Sequence, residues 1–145
     1  LIIKMHPVER NRKEYEKILK SLGADDFDIV QTSDKIVLYD IIHKSDVIIG
    51  FNSTVIIESL MLGKTPIVIE GFFGFEKYKD FAYKDATMRI SHDDDILIAI
   101  NKFLDNNLSQ KSVYKAQRER YLKKYFGKLD GKSSYRIAKT LEKLL

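Results

Sequence analysis

The chain has 145 residues, 44% of them hydrophobic and 32% charged, enough for one well-buried core and too short for two ordinary domains. It contains no cysteine, which excludes disulfide frameworks, thiolate metal sites and thiol catalysis, and no apolar run approaches the roughly 18 residues a membrane-spanning helix needs. A formal net charge of +4 suits a phosphate-bearing ligand or an anionic membrane surface, and is equally ordinary for a soluble domain.

Residues 1–5, Leu1-Ile2-Ile3-Lys4-Met5, read as an apolar strand with no initiator methionine, signal peptide or leading turn. Such a start predicts a central, buried strand of a parallel sheet in a piece of a longer protein, with further chain before it. A helix follows over 9–22, ended by Gly23, then a strand over 27–31 and a helix over 35–44 with His43 near its end, where a cation is favoured. The next strand, 46–50, runs through Asn52 into a helix over 53–62 that stops at Gly63, and a fourth strand covers 66–70. Gly71-Phe72-Phe73-Gly74-Phe75 reads as a loop whose aromatics cap the core or cover a ligand, the core role being the better supported. A fifth strand over 87–90 and helices over 93–105, 110–125 and 133–144 complete the chain. Strands alternating with helices define an α/β class with a parallel sheet, a Rossmann-like three-layer α/β/α domain over 1–145, with no internal repeat or linker.

In such a sheet, ligands collect beyond the carboxyl ends of strands. His6-Pro7 lies at the first of these exits. Proline holds the residue before it extended, so the imidazole can donate to a phosphate oxygen, with Lys4 adding charge; a surface histidine beside a helix-starting proline is the structural alternative. The second exit carries Asn52, Ser53 and Thr54 at a helix start, where free backbone N–H groups and the helix dipole favour an anion; simple capping uses the same residues. Glu58 stands in that helix among Val55, Ile56, Ile57, Leu60, Met61 and Leu62, where a bare carboxylate is costly. One turn beyond Thr54, it can accept hydroxyls of a ribose or form an ion pair.

Other clusters read structurally. Ser91-His92-Asp93-Asp94-Asp95 is an acidic helix start favoured by the dipole rather than a metal site, and Asp130-Gly131 before Ser133 and Ser134 is a turn and helix cap. The late basic run, Lys111 to Lys128 with Tyr114, Tyr121, Tyr125 and Phe126, reads as a solvated helix with aromatics on its buried face in preference to a nucleic-acid surface.

Lys4-Met5-His6-Pro7, then Ser45-Asp46-Val47-Ile48-Ile49-Gly50-Phe51-Asn52-Ser53-Thr54, Glu58 and Gly63-Lys64-Thr65-Pro66-Ile67-Val68, resemble the C-terminal, donor-binding domain of GT-B glycosyltransferases. The likeness is greatest to enzymes of bacterial surface and capsular polysaccharide synthesis. Leu129-Asp130-Gly131-Lys132-Ser133-Ser134-Tyr135-Arg136 resembles a segment near the end of capsule, Kdo and teichoic-acid-type transferases. The resemblance implies that Lys4, His6, Asn52, Ser53 and Thr54 bind the donor nucleotide's phosphate, that Glu58 binds its ribose, and that Ser133 and Ser134 are accessory. It further implies a metal-independent transferase domain without a cofactor, taking a CMP- or CDP-linked donor, with UDP open. Its partners would be the nucleotide sugar, an N-terminal acceptor domain holding the catalytic base and, by peripheral association, a membrane, with no nucleic acid. Its location would be cytoplasmic, at or near the inner face of the membrane, and the isolated fragment would be inactive.

UDP-N-acetylglucosamine 2-epimerases are the second family resembled, weakened by Asn52-Ser53-Thr54-Val55 where an Asp-Ser-Gly-Gly pattern is expected. A non-catalytic α/β interaction module is the third reading.

Overall fold

The computed structural model describes residues 1–31, 34, 37–51, 53–71, 83–91, 93–105 and 108–144. The chain is mixed α/β with parallel strand pairing, compatible with a Rossmann-like fold, and divides into two compact units, Leu1–Ile41 and Ile42–Leu145. No helix among the described residues is long and apolar enough to cross a membrane.

In the first unit, β1 (Ile2–Lys4) pairs in parallel with β2 (Asp28–Val30), Ile3 opposite Ile29, and α1 (Arg12–Ser21) forms the crossover. Asn11 starts α1: its side-chain oxygen accepts from Glu14 N at 3.3 Å while its amide donates to the Glu14 carboxylate at 2.8 Å, satisfying a helix-end donor and holding the first turn. The helix ends as predicted at Gly23, whose φ of 75° is costly for any residue with a Cβ. Gly23 N reaches Lys20 O and Ala24 N reaches Leu19 O, the paired bonds of a Schellman motif. Met5, Leu19 and Ile29 form the core, with Ile3, Tyr15 and Phe27 packed against them.

One expectation is corrected here. β1 has β2 as its strand neighbour among the described residues, and it is not buried along its length: Leu1 is 68% and Ile2 47% exposed, burial being reached only at Met5. An apolar run satisfies a half-buried strand as readily as a central one, because alternate side chains point to opposite faces.

Helix α2 (Leu38–Lys44) crosses the boundary in sequence. The second unit then runs β3 (Ile49–Gly50), α3 (Thr54–Met61), β4 (Ile67–Glu70), a 3-10 turn (Lys84–Ala86), β5 (Met88–Ser91), α4 (Ile96–Leu104), α5 (Leu108–Phe126) and α6 (Ser133–Glu142). Its sheet has the order β3-β4-β5, all parallel, with Ile49 opposite Ile67 and Ile67 opposite Met88. The middle strand β4 buries Ile67, Val68 and Ile69 on both faces, which is why it reads as an unbroken apolar run.

Ile56 and Leu60 of α3 pack with Val68, Tyr83, Ala86 and Tyr121, while Ile67, Ile69, Met88, Ile90 and Ala99 form a separate cluster. Each fully buried isoleucine or leucine contributes about 1.5–3 kcal/mol of transfer free energy. Only part of the aromatic run on α5 is buried: Tyr121 is in the core, Tyr125 stacks on it at 4.9 Å between ring centroids, and Tyr125 and Phe126 stay exposed. The loop holding Phe72, Phe73, Gly74 and Phe75 lies outside the described residues.

Candidate functional site

The exit of β1 is a closed turn. His6 N donates to Glu9 Oε2 at 2.9 Å, Glu9 N donates to His6 O at 2.9 Å, and Val8 N approaches His6 Nδ1 at 3.4 Å. With Nδ1 accepting, the neutral ring carries its proton on Nε2, so the exposed imidazole presents an N–H donor to solvent. The His6 N–H and the Tyr15 hydroxyl together hold the Glu9 carboxyl below its ordinary range, and the same bond to Glu9 raises the Tyr15 phenol. The sequence signals this closure only through a carboxylate, Glu9, three residues after His6, and gives no sign of Tyr15. Lys4, half-buried at the end of β1, donates its ammonium to Met5 O at 2.8 Å.

The exit of β3 leads into α3. Gly50 ends the strand where a Cβ would meet Ile56 Cδ1 at 2.9 Å, so glycine permits this close approach of helix to strand. Ser53 is the N-cap in extended conformation, its hydroxyl oxygen accepting from Val55 N at 3.3 Å. Thr54 is the first helical residue, and both side chains are exposed. No acidic residue occupies the first turn of α3, as in α4, α5 and α6, whereas α1 carries Glu14 and α2 Asp40 there. The positive end of the α3 dipole therefore has no side-chain carboxylate of its own first turn against it. Asn52 lies outside the described residues.

Glu58 sits on α3 one turn after Thr54, half-buried, with Oε2 shielded from solvent and without a hydrogen-bond partner among the described residues. Helical side chains tilt toward the N-terminus, so this carboxylate leans toward the Thr54 end. Its neighbour Ser59, fully buried, is satisfied by donating to Val55 O at 2.6 Å. An unmatched buried acceptor beside a matched one is an uncommon local defect, costing on the order of 1–3 kcal/mol.

Gly63 and Lys64 close α3 with a second Schellman motif, Gly63 N to Leu60 O and Lys64 N to Ser59 O, Gly63 having φ 83°. The Lys64 ammonium then donates to His43 O at 2.8 Å and Ser45 O at 2.9 Å, placing a cation at the carbonyl end of α2. His43 thus takes part through its backbone.

The remaining clusters make local hydrogen bonds. Asp95 caps α4, accepting from Leu97 N and Ile98 N at 2.8 and 3.2 Å, while Asp94 accepts from Ser91 N. His92 lies outside the described residues, and among those described no group of three or more acidic or histidine side chains could hold a metal. Ser133 and Ser134 are the first residues of α6, both exposed, and not its cap as expected: the N-cap is Lys132, without a side-chain cap bond, because Ser133 Oγ accepts from Arg136, whose guanidinium grips both Asp130 oxygens at 2.8 and 2.9 Å. That grip, with the Lys132 N–H, lowers the Asp130 carboxyl.

Ser53, Thr54 and Glu58 thus share one helix of the second unit, and Lys4 and His6 share one strand exit of the first. Comparison of the chain with known protein families, with curated proteins and with solved structures gives no match.

Proposed function

We propose that the chain is the nucleotide-donor-binding domain, three-layered and Rossmann-like, of a GT-B-type glycosyltransferase of cell-surface polysaccharide synthesis. The observation that carries this reading is the shielded Oε2 of Glu58, unpartnered among the described residues, one turn inside a helix whose N-terminal turn holds exposed Ser53 and Thr54 and no acid. A carboxylate kept in that state is accounted for by a ligand hydroxyl, and a ribose adjoining a phosphate supplies the hydroxyl and the anion together. The exposed His6, at a turn closed by Glu9, supports its assignment to donor phosphate.

In this reading the domain works by electrostatics: the α3 mouth stabilises negative charge that grows on the leaving phosphate as the sugar bond breaks. The donor is CMP- or CDP-linked, and the acceptor and catalytic base belong to a second domain.

Calorimetry with CMP, CDP and UDP on the wild type, His6→Ala and Glu58→Ala tests this. A cytidine nucleotide should bind the wild type, and each substitution should weaken it at least about tenfold, the worth of one charge-assisted hydrogen bond. Equal affinity in all three proteins, or no nucleotide binding by the wild type, sinks the proposal.

A further inference from the structure

The charge of the chain is unevenly placed. Residues 108–145 hold eleven lysines and arginines against three acidic residues, whereas residues 1–107 hold fourteen against eighteen. The last two helices are therefore strongly cationic on an otherwise acidic protein. Every residue from 123 to 144 is exposed, and α6 buries none of its side chains.

Helix α6 is two-sided. Ile137 and Leu141, one turn apart, form one stripe and are 61% and 56% exposed, and Leu144, just past the helix end, is 78% exposed. Arg136 and Lys139, with the capping residues Lys132 and Lys143, are spaced by four, three and four on the other side, Arg136 paired with Asp130 and Lys139 with Glu142 at 3.6 Å. The Tyr135 ring lies at the edge of the basic stripe, 5.8 Å from the Lys139 ammonium.

We propose that α6, with the cationic end of α5, docks on an anionic lipid surface, lying in the interface with the aliphatic stripe in the acyl boundary and the lysines among the headgroups. Two physical demands select this occupant. The aliphatic stripe needs an apolar medium, which a nucleic-acid backbone does not offer; the cationic stripe needs negative charge, which a second copy of the same +8 segment cannot supply. An anionic bilayer meets both at once. The inference stands on α6 and is independent of nucleotide binding.

The test is co-sedimentation of the full chain with vesicles of phosphatidylcholine alone and with an equal mixture of phosphatidylcholine and phosphatidylglycerol. The wild type should sediment with the mixed vesicles only. Replacing three lysines together, Lys132→Gln, Lys139→Gln and Lys143→Gln, should lower partitioning on the order of a hundredfold, at about fivefold for each charge near the surface. Ile137→Asn with Leu141→Asn should lower it at least about tenfold through lost apolar insertion. These side chains are exposed, and circular dichroism checks that the fold survives. Since the chain has no tryptophan, Ile137→Trp provides a single reporter whose emission should shift to the blue on anionic vesicles. Equal sedimentation with both vesicle types, none with either, or an unshifted Trp emission overturns the proposal. So does binding of single-stranded DNA that the asparagine pair leaves intact while lipid binding is absent.

Discussion

The backbone N–H of His6 donates to Glu9 Oε2 at 2.9 Å, so the loop that carries the proposed phosphate donor is closed by a carboxylate three residues later. His6 N–H first and Tyr15 second hold the Glu9 carboxyl below its ordinary value of 4.5. A depressed carboxyl contributes stability that is present above its unfolded pKa and lost as pH falls through the folded one. The turn should therefore stay closed at neutral pH and open as pH drops below 4.5. On the alkaline side, the raised Tyr15 phenol keeps its proton, and with it the bond, until pH exceeds 10.0. The protection factor of the His6 amide, its exchange corrected for the intrinsic pH dependence, should fall below that acid threshold, and Glu9→Gln should remove that fall. A His6 amide indifferent to acid in the wild type contradicts this.

Glu58 is expected to trade stability for binding. Glu58→Met keeps the volume of the side chain and removes the unmatched oxygen, so stability should rise by about 1 kcal/mol while nucleotide affinity is lost. Urea midpoints for the wild type and Glu58→Met read the first effect. A fall in the midpoint means that the carboxylate has a structural partner.

Much of the fold is legible in the sequence because the apolar periods are clean. The five strands and six helices described fall where the pattern puts them, and Gly23 and Gly63 have positive φ as their stop positions require. Element ends were less legible: α4 was expected from residue 93 and begins at Ile96, because Asp95 rather than an earlier residue turns its oxygen onto the first helical amides. Glu58 stood out from the sequence because a charge in an apolar helix violates its surroundings. The His6–Glu9 closure and the Lys64 bridge did not, since each rests on where an ordinary surface residue points, which no periodicity encodes. The exposure of Ile2 was hidden for the converse reason, that an apolar strand looks alike whether one face or both are covered.

Gly63→Ala isolates a backbone term. Nothing lies within 4 Å of the position a Cβ would take, so its φ of 83° is the only cost. That cost is about 1–2 kcal/mol, read as a lowered unfolding midpoint, with Gly63→Asn losing less because asparagine tolerates the left-handed region. An alanine as stable as the wild type would mean that the Schellman turn closing α3 relaxes without penalty.

Lys64 joins two helix ends that sequence separates: its backbone closes α3 while its ammonium serves the carbonyls of His43 and Ser45. Lys64→Met preserves the stem and removes the charge, leaving the end of α2 without its cation. The loss should be about 2–3 kcal/mol, from hydrogen bonds of a charged donor together with the helix-end dipole term. Because the effect acts through α2, it should also appear locally, as faster amide exchange across Ile42 to Lys44 with the exchange of β4 unchanged. A uniform acceleration over both elements would instead point to a general loss of stability, and would remove Lys64 as the specific tie between α2 and the strand that follows α3.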